Sequence, residues 1–150
     1  MSATTLPGSL EETAAELREA PHDLLLEVLL DYADRLPPVP ARLADRPGGM
    51  EQVTECQTPF FLAAELDEDG GVAVHIDCPP ESPTIRAFGA IVVEGLSGAA
   101  PEDVAELPDD LAERLGLGTA ITGMRLNGMV AVVRRLRRQV QALLGTEQPS

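Results

Sequence analysis

The 150-residue chain has no lysine and no tryptophan, one tyrosine, three phenylalanines, two histidines and two cysteines. With aromatics at 3% against a hydrophobic fraction of 44%, its core must be assembled from Leu, Val, Ile and Ala. All 11 basic residues are Arg, set against 25 acidic ones, and the formal charge of -14 repels a phosphate backbone. Nucleic acid is thereby excluded as a general partner. Long hydrophobic runs are lacking too: the stretch from Leu24 to Leu30 is broken by an acid and falls far short of the ~20 residues of a membrane span. The N-terminus shows no basic stretch followed by a continuous apolar one, so no secretory leader is expected and a cytoplasmic location is the default. In a reducing compartment Cys56 and Cys78 read as free thiols rather than as a disulfide. The length suits one domain with its own core.

Hydrophobic periodicity and turn chemistry set out the elements. Ser9-Leu10-Glu11-Glu12 has the form of a capping box and predicts a short helix to about Ala20, an N-terminal extension over residues 1–20. Pro21 suits the first turn of a second helix, which carries Leu25, Val28, Leu29, Tyr32 and Leu36 at helical spacing and stops at Pro37-Pro38. From Pro37 to Gly49 the Pro and Gly content predicts a surface loop, with one turn of helix at Ala41 to Ala44. Thr58 to Leu66 and Val72 to Ile76 read as strands, joined by Asp67-Glu68-Asp69-Gly70-Gly71 into an antiparallel hairpin.

A buried helix is expected over Thr84 to Leu96, ending at Gly98. Pro101 and Pro108, each followed by two acids, open two short helices. The last helix is expected from near Thr122 to about Leu144, burying Leu126, Met129, Val130, Val133, Leu136, Val140 and Leu143. Its Arg134, Arg135, Arg137 and Arg138 complement the macrodipole, and residues 146–150 read as a disordered tail. Helices around a central hairpin define an α+β domain, a small antiparallel sheet packed against several α-helices.

Cys56 lies in Gln52-Val53-Thr54-Glu55-Cys56-Gln57-Thr58-Pro59-Phe60-Phe61, after the Gly48-Gly49 loop and before the first strand. A thiol on a loop held by a strand is both accessible and positioned. Burial habits alone favour the alternative of a small core residue. Cys78 closes His75-Ile76-Asp77-Cys78, a set of donors with the chemistry of a zinc or cluster site. Strand alternation places His75 and Asp77 on one face and Cys78 on the other, so Cys78 reads as structural or incidental and no metal is expected.

Several segments resemble the SufE family, in order and over most of the chain from about Leu24 to Leu144. Leu29 to Pro38 is similar to the family's helix closing in Arg-Leu-Pro, and Val53 to Gln57 resembles its loop ending in Gly-Cys-Gln before a strand. Ile85 to Val93 is similar to the helix that follows. Thr122-Gly123-Met124-Arg125-Leu126-Asn127-Gly128-Met129 resembles the Ser-Arg-x-Asn-Gly-Leu signature that opens the last helix.

This resemblance implies the fold shared by SufE and IscU-type proteins. It implies that Cys56 is a nucleophile taking sulfur from a persulfide on a pyridoxal-phosphate-dependent cysteine desulfurase of the SufS type. The sulfur would then pass to an iron-sulfur scaffold or another acceptor. Such a protein stimulates a desulfurase rather than turning over by itself, and it needs no cofactor of its own. Arg125, Glu55 and Gln57 are the residues expected to support the thiolate or contact the partner, while Asn127 and Gly128 are expected to serve close packing of the helix start. Glu55 stands where the family usually has Gly, and an acid there raises the thiol pKa. Pro59 removes a ladder donor, so the strand is expected to start later or to lie at an edge. Two rival readings are a metal or cluster scaffold using Cys56 and Cys78 with Asp77 or His75, and an interaction module that has lost the transfer chemistry.

Overall fold

A computed structural model describes residues 6–118, 121 and 123–147. Among them run α1 (Leu10–Glu19), a 3-10 turn (His22–Leu24), α2 (Leu25–Asp34), α3 (Ala41–Ala44) and the strands β1 (Glu51–Gln52), β2 (Phe61–Leu66) and β3 (Val72–Asp77). After them come α4 (Pro83–Leu96), α5 (Pro101–Val104), α6 (Leu111–Arg114) and α7 (Gly123–Glu147). The three strands form one antiparallel sheet in the order β1-β2-β3, so the architecture is α+β. Leu62 pairs with Ile76, Ala64 with Val74 and Leu66 with Val72, which puts these side chains on one face. The opposite face carries Glu65 and His75, 3.0 Å apart, with Arg42 of α3 bidentate on Glu65 at 2.5 and 2.7 Å.

Helix α4 is the centre of the molecule. It buries Ile85, Ala87, Phe88, Gly89, Ala90, Ile91, Val92, Gly95 and Leu96, more than a single stripe, because α1, α2, β3 and α7 all pack on it. Gly95 makes the α1 contact possible: a Cβ there would sit 2.3 Å from Leu10 Cδ2. Across the sheet, α7 runs past β2, where β1 is only two residues long. Gln139 takes over beyond it, accepting the Ala64 N–H at 2.7 Å and donating to the Leu62 carbonyl at 3.3 Å. One side-chain amide thus does the work of an absent strand residue.

Several expected boundaries shift for local reasons. The capping box does not form. Ser9 precedes α1 with φ -95 and ψ 13, not the extended backbone of a capping residue, and its N–H goes to Gly95 O at 2.9 Å. The Glu11 carboxylate instead accepts the Leu6 N–H at 2.8 Å. Pro21 lies ahead of the 3-10 turn rather than in α2, and Pro108 lies outside α6, which starts at Leu111. Strand β2 starts at Phe61, not Thr58, as Pro59 requires. Strand β1 is an additional element, lying between the loop read over Pro37 to Gly49 and the first expected strand.

Along α7, Met129, Val133, Leu136 and Val140 are buried, whereas Leu126, Val130 and Leu143 are half-buried. The helix continues to Glu147, past the expected start of the tail, whose residues 148–150 lie outside the described residues, as does Thr122. Residues 1–5 of the expected extension are outside them too, but Leu10, Ala14 and Leu17 of α1 are core residues.

Candidate functional site

Val53 and Phe60 are fully buried, and the Val53 N–H donates to Phe60 O at 2.8 Å. Between these anchors Thr54 to Pro59 form a turn, inside which the Cys56 N–H reaches Val53 O at 3.1 Å. The half-buried Cys56 thiol lies over the start of α7, with Sγ 3.8 Å from Gly128 O. A Cβ on residue 128 would come within 3.1 Å of that sulfur, so the helix meets the thiol at a position without a side chain. This is the close packing expected of Gly128.

Beside the thiol is a recess of about 80 Å³, lined by Gln57 and Thr58 of the turn, Ser82 and Thr84 at the start of α4, and Arg125 of α7. The space has room for a small group such as an added sulfur atom. Arg125 donates to Thr84 Oγ1 at 2.9 Å, spanning the recess from α7 to α4. On the turn side the Thr58 and Ser82 hydroxyls meet at 2.6 Å. Cys56, Gln57 and Arg125 therefore line one recess.

Glu55 does not join them: its carboxylate pairs with Arg135 of α7 at 2.7 Å, outside the recess. The same guanidinium contacts Glu51 at 2.6 Å, Gln52 O at 3.2 Å and Thr54 Oγ1 at 3.3 Å. Sequence reasoning placed Arg135 only as a macrodipole charge. Nothing local marks a pairing between residues 80 positions apart. The hydrogen bond from Arg135 holds the Glu55 carboxyl below its usual range. Burial, and after it the charge of Glu55, push the Cys56 thiol up to about 11, with Arg135 opposing.

Cys78 is 2% exposed, its Sγ 3.8 Å from Pro79 O, and burial likewise raises its thiol to about 11. His75 and Asp77 lie on the other face of β3, the former engaged by Glu65. Among the described residues no group of three or more His, Cys, Asp and Glu side chains gathers where a metal ion could be held. No helix among them is long and apolar enough to cross a membrane.

The fold and this site define a small α+β protein that presents one half-buried thiol at the mouth of a recess with both polar and apolar walls. The model of the SufE family, described as an Fe-S metabolism associated domain, matches residues 11–140. An uncharacterized SufE-like protein of Mycobacterium tuberculosis is 35% identical over 137 residues, covering 91% of this chain and 94% of its own. An uncharacterized SufE-like protein of Synechocystis is 26% identical over 143 residues, covering 95% of this chain and 86% of its own. The solution structure of a hypothetical protein from Thermus thermophilus superposes with a TM-score of 0.82 at 37% identity, covering 94% of this chain and 99% of that one. The chain belongs to the SufE family, which ties it to Fe-S metabolism.

Proposed function

We propose that Cys56 is the sulfur acceptor of a persulfide relay that feeds iron-sulfur cluster assembly. The observation that carries this reading is the position of the thiol: on a turn anchored by two buried residues, seated against Gly128 at the edge of a recess large enough for one small group. In the transfer, the Cys56 thiolate attacks the outer sulfur of a cysteine persulfide on a pyridoxal-phosphate-dependent desulfurase. A new S–S bond forms at Cys56 as the donor's S–S bond breaks. The donor cysteine leaves as a thiolate, so no external oxidant or reductant is required. The outer sulfur moves to the recess beside Gln57 and Arg125, and the product persulfide is then attacked in turn by the downstream acceptor.

A thiol raised to about 11 is almost wholly protonated at neutral pH, which keeps it quiet until docking changes its surroundings. The test is mass spectrometry after incubation with a desulfurase, pyridoxal phosphate and cysteine. One added sulfur is expected on the peptide bearing Cys56 and none in Cys56→Ser. A sulfur-free Cys56 under conditions where the desulfurase itself carries persulfide would refute the proposal.

A further inference from the structure

The turn that carries Cys56 is attached laterally at two places. On one side Thr58 meets Ser82, and on the other Arg135 reaches Thr54 and Glu55, so the thiol sits between two fastenings. The two halves of the second fastening differ in exposure. The Arg135 side chain is 22% exposed and Glu55 52% exposed, so the guanidinium belongs to the frame and the carboxylate to the moving part. Arg135 is itself held by Glu51, which also receives Arg138 and, at 3.0 Å, Gln139. Its place is therefore set without any help from Glu55.

We propose that Arg135 is a positioning residue for Cys56: by binding Thr54 and Glu55 it holds the turn against α7 with the thiol facing Gly128, and losing the Glu55 contact frees the turn to present the thiol outward. The role of an outward thiol rests on the reading of Cys56 as a sulfur acceptor, but the latch is a property of this chain alone. The fastening is bidentate in effect, since one guanidinium joins β1, the turn and α7 through separate N–H groups. A lysine carries the charge without the fork. Two charged groups bear on the thiol's ionisation, Glu55 on the turn raising it and Arg135 of α7 opposing; Arg125 of α7 lines the recess beside it, and Cys78 after β3 is itself raised by the Cys56 charge.

The experiment is residue-resolved amide exchange by NMR on the isolated protein, read at the Cys56 N–H that is bonded to Val53 O. Glu55→Ala is expected to speed exchange about three- to fivefold, the size of a part-exposed ion pair. Arg135→Gln, which removes several charge-assisted bonds, is expected to speed it about tenfold. The double variant should exchange no faster than Arg135→Gln alone, Arg135→Lys should fall between Arg135→Gln and wild type, and Arg134→Gln, which contacts Asp109, should match wild type.

Alkylation of Cys56 by iodoacetamide across pH gives a second readout: a thiol turned outward sheds burial, the largest cause of its raised value, so the midpoint should fall in both Glu55→Ala and Arg135→Gln while alkylation of Cys78 stays at the wild-type rate. General loosening of the fold speeds Cys78 as well. Wild-type exchange at Cys56 in both single variants, or alkylation of Cys78 rising in step with that of Cys56, would overturn the latch. Failure of wild-type Cys56 to acquire sulfur from a desulfurase would refute the acceptor reading and leave the exchange result standing.

Discussion

Cys56 and Cys78 carry the same functional group in different circumstances, and the difference comes from a few ångströms of packing. Cys78 is sealed between β3 and α4, where Arg86 spends its guanidinium on the backbone carbonyls of Cys78 and Ala33 rather than on the sulfur. Replacing it with Ser buries a hydroxyl among apolar neighbours, so Cys78→Ser should lose about 1–2 kcal/mol in urea unfolding while sulfur still loads onto Cys56. Both thiols are raised in the folded chain from 9.0 to about 11. With folded values above unfolded ones, their contribution to stability is fully present below pH 9.0 and is lost as pH climbs through about 11. Denaturation midpoints should fall across that window, less steeply in Cys78→Ser, which leaves Cys56 and Tyr32, itself raised by burial, to titrate. An unchanged slope would mean that Cys78 ionises as readily folded as unfolded.

Two glycines govern how the helices meet, and they separate stability from reactivity. Gly95→Ala places a methyl group 2.3 Å from Leu10 Cδ2, so α1 must move off α4, at a cost of about 1–3 kcal/mol by thermal unfolding. Loading of Cys56 should survive. Gly128→Ala sets a methyl group 3.1 Å from the Cys56 sulfur at a buried position of α7 that faces the turn, where Ala also favours the helix. Its unfolding temperature should stay within a few degrees of wild type, while the rate of Cys56 alkylation changes several-fold as the sulfur shifts. Equal losses of stability in the two variants would show that Gly128 serves the core rather than the thiol.

At this scale the sequence was readable wherever the pattern is local: the apolar stripe of α2, the acid-and-glycine turn between β2 and β3, and the buried run of α4. Strand β1 could not be read, because Glu51 and Gln52 have no strand propensity and take their conformation from pairing with Leu62 and Phe61. The Ser9 cap failed for a similar reason, as a distant backbone carbonyl claimed its N–H. Within the site, Cys56, Gln57 and Arg125 were legible from family motifs. Arg135 was hidden because its partners lie outside its own helix, and the three other arginines beside it, Arg134, Arg137 and Arg138, gave no reason to single one out.

For the molecule as a whole, a charge of -14 makes each arginine a scarce resource for holding acids near one another. Arg135 keeps Glu55 low, Arg134 keeps Asp109 low and Arg42 keeps Glu65 low. Lowered carboxyl values contribute stability that is present above the unfolded range and lost as pH falls through the folded value. The urea midpoint should therefore drop as pH falls through and below the ordinary carboxylate range of about 4, modestly because these pairs are largely solvated. Arg42→Gln, remote from the thiol, should flatten that acid limb and leave sulfur loading intact. A limb of unchanged steepness would assign acid sensitivity to other carboxylates.

Gln139 has a consequence for what happens when the protein is heated. Its amide occupies Ala64 N–H and Leu62 O along the rim of β2 that β1 leaves bare, while on the far rim Val72 exchanges hydrogen bonds with Gly98 and Ala99. The sheet is thus closed at one margin by a helix side chain and at the other by a loop. Peeling α7 away would unmask a strand margin with vacant donors and acceptors, a template onto which another molecule's strand can add. Fraying of that helix should therefore promote clumping on heating, and Gln139→Ala should lower the temperature at which light scattering rises.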